Sequence, residues 1–189
     1  MSDLRRLTST AWQGIDGRGA DMVTAMSDPV LEAAQATGVD YEVIECDPEL
    51  ADTAEFCAHY GYRMDESANA IMVVGKSEPR VYAMCLVLAT TQVDVNKVVR
   101  KRLGVKKASF APPDETAEIT GMMLGGVTPF GLPANLPLWI DSRVMACAKV
   151  IVGGGSRDRK LYLAPAGLSA LPSAEVVHDL AKERRPPRD

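Results

Sequence analysis

Two apolar runs, ANAIMVVG at 68–75 and RVYAMCLVLA at 80–89, are separated only by KSEP. Both are rich in β-branched residues, and Pro79 is a turn former, so the pattern predicts an antiparallel pair of strands. Val81 to Ala89 carries no charge and is far shorter than the roughly 20 apolar residues a membrane helix needs. The run is therefore expected as a buried strand.

The elements around this pair mix the two periodicities. DPVLEAAQATG opens on Asp28 as an N-cap, closes on Gly38, and predicts a short helix. YEVIEC at 41–46 reads as a strand covered on both faces, and DPELADTAEFCAHYG as a helix ending at Gly61. In DVNKVVRKRLG, Val95, Val98, Val99 and Leu103 share one helical face while Lys97, Arg100 and Lys101 project from the other, with Gly104 as the stop. KKASFAPPD gives a short strand and turn, and DETAEITG a short helix. PLWIDSRV, AKVIVGGG and KLYLAP give strands, and AEVVHDLAKERR a final helix. Strict βαβ alternation is absent, so the expected class is α+β with a mixed sheet. The expected organisation is an extension over 1–27, one domain over 28–182 and a disordered tail over 183–189.

Composition narrows the function classes. With 47% hydrophobic and 24% charged residues, 189 residues can bury a single core, and disordered, collagen-like and coiled-coil chains are excluded. The N-terminus has two arginines but no apolar stretch behind them, so a secretory signal is not expected. Cys46, Cys57, Cys85 and Cys147 are widely spaced without a C-x-x-C pair, which suits free thiols in the cytoplasm and not a zinc site. Cys57 and His59 are two apart on a predicted helix and so point apart, a poor nucleophile–base pair. The net charge of −4 hides an asymmetry: 1–92 holds 6 basic and 15 acidic residues, and 93–189 holds 15 basic and 10 acidic. A basic face for a polyanion is compatible with that distribution.

Two glycine-rich segments stand out. GGVTPFG, Gly125 to Gly131, can expose backbone N–H groups to an ester carbonyl or an oxyanion; a plain turn between helix and strand explains it equally well. GGGSRDRK, Gly153 to Lys160, ends a strand and carries three basic residues; it matches neither a Walker A loop nor G-x-G-x-x-G, and a tight hairpin is the alternative. Lys97, Arg100, Lys101, Arg102, Lys106 and Lys107 form a basic run that serves either as a solvated helix face or as a phosphate contact. A serine esterase is disfavoured, since no G-x-S-x-G elbow is present.

The order of these segments resembles the YbaK family, also called the prolyl-tRNA synthetase-associated domain, which includes trans-acting aminoacyl-tRNA deacylases. The resemblance runs from about Val39 to Leu171. It rests on GGVTPFG, on Asp141 in LWIDSRV, on VGGGSRDRKLYLAPAGL, and on the preceding YEVIEC, RVYAMCLVLATTQVDVNKV and RLGVKKASFAPPDETAEITG. It implies a curved, barrel-like mixed sheet surrounded by helices. The implied activity is metal- and cofactor-free hydrolysis of the ester joining a wrong amino acid to the 3′ end of tRNA, with a synthetase as a further partner and no membrane.

On that resemblance the expected catalytic residues are Asn69, Gly126 and Gly131. Val127, Thr128, Pro129, Phe130, Asp141, Gly153, Gly154 and Gly155 are expected against the substrate, and Lys97, Arg100, Lys101, Lys106, Lys107 and Arg157 against the tRNA. The chain departs from the family in one place. Members of the well-studied type carry an activity-linked lysine where SANAIMVVG places Asn69, and Lys76 lies too far along to replace it. An amide donates weaker, uncharged hydrogen bonds. The expected function is therefore aminoacyl-tRNA deacylation, with a non-catalytic tRNA- or nucleotide-binding module of the same fold as the alternative.

Overall fold

A computed structural model describes residues 28–184. The expectations for 1–27 and for the last five residues lie outside that range. The elements in chain order are α1 (Pro29–Ala36), β1 (Tyr41–Glu45), α2 (Thr53–Tyr60), β2 (Ala68–Gly75), β3 (Val81–Leu88), β4 (Thr91–Val93), α3 (Arg100–Arg102), β5 (Ala108–Phe110) and α4 (Pro113–Thr120). There follow β6 (Leu138–Asp141), α5 (Ser142–Met145), β7 (Val150–Gly153), β8 (Arg159–Leu163), α6 (Ala166–Ser169), β9 (Ala174–Val177) and β10 (Ala181–Glu183).

The apolar pair forms as expected. β2 and β3 pair antiparallel from Ala68↔Leu88 to Gly75↔Val81 and sit in a five-stranded mixed sheet of order β5-β2-β3-β6-β9, in which β3–β6 and β6–β9 are parallel. Side-chain alternation sends Met72, Met84, Leu86, Leu138 and Ile140 to one face, and Val73, Ala83, Cys85, Val87 and Trp139 to the other. The first face packs on the three-stranded antiparallel sheet β1-β8-β7, on α1 and on Phe130. The second is covered by Val95 and Val99 and by the β4–β10 pair. A parallel bridge from Ser67 to Ile151 joins the two larger sheets beside the start of β2. The architecture is the expected mixed α+β.

Local chemistry accounts for the helix ends. Asp28 accepts from the Val30 and Leu31 amides at the start of α1 and pairs with Arg159, while Gly61 and Gly121 end α2 and α4 with φ of 76° and 71°. Burial works against the Asp28 carboxylate, but the Arg159 guanidinium and the α1 amides hold it below its ordinary range.

Three expectations need correction. The final helix is instead β9, a turn with Asp179 at φ 57°, and β10. Val176–Val177 and Leu180–Ala181 recur four apart, which imitates a helical stripe, but β-branched residues beside β6 pair more readily as a strand. Glu183 and Arg184, expected in the disordered tail, are instead engaged, since Glu183 pairs with Thr91 and Arg184 donates to the Thr91 carbonyl at 3.1 Å. Lastly, β1 is not covered on both faces. It is the edge of its sheet, with Val43 44% exposed. The expected helix at 95–103 forms as a π-turn, with the Val99 amide on Asp94 O, continuing into α3; its valines face the core as the spacing requires.

Candidate active site

The start of β2, the first turn of α2, the loop before GGVTPFG and the ends of β7 and β8 enclose a cavity of about 210 Å³. Its walls are Ser67–Ile71, Ala51–Thr53 with Phe56, Leu124, Gly125 and Val127, Ile151–Gly153, and Lys160. Asn69 stands on one wall, where its Oδ1 accepts from the Thr53 hydroxyl at 2.6 Å. That contact leaves the amide NH2 as the donor group of Asn69.

Lys160 stands on another wall. It is 6% exposed, and its Nζ donates to Ala51 O at 2.6 Å and to Gly125 O at 2.9 Å, with the Phe56 ring 5.8 Å away. Burial pushes its pKa below the ordinary lysine value. Sequence reasoning counted Lys160 with Arg157 and Arg159 as one basic group. The fold separates them. Arg157 is fixed to Pro48 O and Leu124 O, and Arg159 to Gly154 O and Asp28. Lys160 lies inside a central strand, opposite Gly153 on β7 and Ile44 on β1, so only its β7 side is free of a cross-strand side chain.

The two glycine segments meet each other. Gly155 N–H donates to Gly126 O at 2.8 Å, and a Cβ at Gly153 would lie 2.1 Å from Val127 O. At Gly126 a Cβ would lie 2.7 Å from the Ser156 carbonyl carbon, and at Gly125, where φ is +86°, 2.1 Å from the Arg157 guanidinium. Backbone-to-backbone contact accounts for Gly126 and Gly153, and the positive φ and the Arg157 side chain for Gly125, before any ligand is considered.

Of the expected catalytic and substrate residues, Asn69, Val127 and Gly153 line the cavity, joined by Gly125, which was not among them. Gly126, Thr128, Pro129, Phe130, Gly131, Gly154 and Gly155 lie outside the lining. Gly126 N–H is already given to Met123 O, Phe130 is a core side chain, and Gly131 turns against Pro29 at φ +70°. Thr128 is fully buried, with no hydrogen-bond partner for its hydroxyl among the described residues. Asp141 also lies elsewhere. Its carboxylate, 1% exposed, accepts from Arg143 N–H at 3.0 Å and from Ala181 N–H at 2.8 Å, so it caps α5 and anchors β10.

Lys97, Arg100, Lys101, Lys106 and Lys107 are exposed, and none has an ion pair among the described residues. Arg102, from the same run, is engaged by Glu175 and lies 4.9 Å from the Trp139 ring. This basic surface lies toward the Gly75 end of β2, where Val105 meets Gly75 and Lys76 N–H bonds Lys107 O. Asn69 is near the other end, roughly 20 Å away at about 3.3 Å per residue. No described helix is long and apolar enough to cross a membrane.

The chain matches the aminoacyl-tRNA editing domain over residues 47–171, a span that contains every wall of the cavity. It is 26% identical over 142 residues to protein YwhH of Bacillus subtilis (strain 168), covering 75% of this chain and 88% of that one. It is 24% identical over 113 residues to EbsC of Enterococcus faecalis (strain ATCC 700802 / V583), a candidate Cys-tRNA(Pro)/Cys-tRNA(Cys) deacylase, covering 60% and 67%. Among solved structures, the hypothetical protein APE2540 superposes with a TM-score of 0.72 at 24% identity, over 82% of this chain and all of that one. A candidate trans-editing enzyme for prolyl tRNA synthetase gives 0.69 at 25% identity, over 82% and 96%. The chain belongs to the aminoacyl-tRNA editing domain family.

Proposed function

We propose that the protein is a trans-acting deacylase that hydrolyses the ester of mischarged tRNA in the cytoplasm. The observation that carries this reading is the cavity itself, which collects the β2 start, the 125–127 loop and the Gly153 strand end around a small volume whose mixed walls carry Thr53, Asn69 and Lys160. The volume of about 210 Å³ suits an aminoacyl group and part of the terminal ribose. In this reaction a water molecule, or the tRNA's own 2′-hydroxyl, adds to the ester carbonyl carbon. The bond to the ribose oxygen then breaks, and that oxygen takes up the proton. Where the 2′-hydroxyl attacks, the acyl group first migrates, and water completes the release. Asn69 and Thr53 present the polar wall that orients the ester. The exposed lysines of 97–107 meet acceptor-stem phosphates, and the four free thiols fit a reducing compartment.

The test is a panel of mischarged tRNAs with release of free amino acid as the readout, beginning with Cys-tRNA(Pro) and Cys-tRNA(Cys), the substrates in the name of the Enterococcus relative. Hydrolysis of at least one member is expected. Asn69 in place of the family lysine favours a second reading, a non-catalytic module that binds tRNA or a nucleotide. Salt-sensitive tRNA binding with no hydrolysis of any member would establish that reading instead.

A further inference from the structure

We propose that Lys160 is the cationic group of this cavity, holding negative charge on an oxygen of the bound substrate through the ammonium N–H left over from its two carbonyl contacts. The inference rests on the deacylase reading above. A tetrahedral ammonium has three N–H donors, and Ala51 O and Gly125 O take two. No carboxylate lies within ion-pair distance of Nζ among the described residues. Asp52, the acid on the same rim, is two-thirds exposed and lies 3.6 Å from Arg157. A buried cation without a counter-ion carries a desolvation penalty, and an anionic ligand is what would offset it.

The surroundings add donors to the same volume, with the exposed Asp52 carboxylate on the rim opposing them. The first turn of α2, at Asp52 and Thr53, lines the wall beside Lys160, and Asn69 adds an amide donor from across the cavity. Charge missing at position 69 therefore enters the same volume from β8. During hydrolysis the carbonyl π electrons move onto oxygen as water adds to carbon, and the Lys160 ammonium donates a hydrogen bond to that oxyanion. When the carbonyl re-forms, the ribose oxygen leaves with a proton and Lys160 is unchanged. Charge on the terminal phosphodiester is the other oxygen-borne charge the same ammonium could hold.

The experiment uses the full chain and a mischarged tRNA that the wild type hydrolyses, comparing wild type, Lys160→Met and Lys160→Arg under single-turnover conditions. Oxyanion binding predicts that Lys160→Met lowers the rate at saturating tRNA by about 100-fold with affinity unchanged, the size seen when one such donor is removed. Phosphate binding predicts weaker affinity with that rate unchanged. Either result supports Lys160 as the cationic site. Lys160→Met within threefold of wild type on both measures overturns it.

If Lys160→Met does not fold, Lys160→Arg and the pH profile decide. The ammonium is protonated below its lowered pKa, so wild-type activity falls as pH rises through that value, and the arginine variant lacks that fall. The titratable and charged groups facing Nζ are Cys46, Cys57, Asp52 and Arg157. Cys46 itself titrates higher than usual because it is buried, so Cys46→Ala should leave the limb in place. A limb of the same shape in Lys160→Arg overturns the proposal. If the wild type hydrolyses no tRNA, the deacylase reading fails on its own, and inorganic phosphate becomes the probe. Phosphate should then raise the melting temperature of wild type and not of Lys160→Met, and equal shifts overturn the inference.

Discussion

Gly153→Ala separates two explanations of the glycine segments. If glycine is there to let a ligand approach, the variant should fold normally and lose affinity. If it is there because two loops touch, the variant should lose stability first. The geometry supports the second. The new Cβ would lie 2.1 Å from Val127 O and 2.8 Å from Gly126 O, both backbone atoms, whereas ordinary contact begins at 3.4 Å. The loops must therefore part by about 1 Å, which stretches the neighbouring Gly155 N–H to Gly126 O bond, now 2.8 Å, beyond useful range. Overpacking of this kind is typically worth 1–3 kcal/mol and a lost buried backbone bond roughly another 1. A total of about 2–4 kcal/mol corresponds to a fall in melting temperature of roughly 4–16 °C at this chain length. Thermal unfolding followed by circular dichroism, with urea titration to check that the slope is unchanged, measures it. A Gly153→Ala variant melting within 2 °C of wild type would refute the loop-contact reasoning.

Three further outcomes follow from the same geometry. Asp141→Ala should lose about 3 kcal/mol in urea unfolding, because two backbone donors lose a buried charged acceptor, while the deacylation rate per folded molecule stays at the wild-type level. Thr128→Val should unfold within about 0.5 kcal/mol of wild type or be stabilised by up to roughly 1, since the hydroxyl it removes has no partner among the described residues; a large loss would show that the hydroxyl is used. Lys106→Ala with Lys107→Ala should weaken tRNA binding in a filter assay and lower its log–log salt slope by about 1 per phosphate contact removed. An unchanged slope would remove these residues from the interface.

Much of the fold was legible because the signals were redundant. The charge-free Val81–Ala89 run and the Pro79 turn both point to the β2–β3 pair, and Gly61 and Gly121 mark helix ends through the positive φ they adopt. The misread end of the chain, 174–183, is a case where one spacing serves two periods and only pairing with β6 and β4 decides. The glycine segments were legible as unusual backbone, yet their reason for being glycine lies in a contact between residues about 27 positions apart, which spacing along the chain does not encode. Lys160 was hidden for a related reason. A lysine beside two arginines reads as surface charge, and only the register of β8 against Gly153 turns it inward.

That register also fixes how the chain's positive charge is divided. The exposed lysines and arginine of 97–107 lie roughly 20 Å from Asn69, a distance argued from strand length. Charges more than about 8 Å apart in solvent are largely screened at physiological ionic strength, so those charges contribute little to the electrostatics of the cavity. A basic half-chain is thus not by itself an explanation for chemistry at position 69, however well it suits a polyanion. Within the cavity the field must come from groups that line it, which are the first turn of α2 with the exposed Asp52 carboxylate on the rim, the Asn69 amide and the Lys160 ammonium. Only the last carries a full positive charge, and the burial that penalises the empty site also strengthens its interaction with a bound oxygen. A cavity with the uncharged Asn69 on one wall therefore still carries a cation on another.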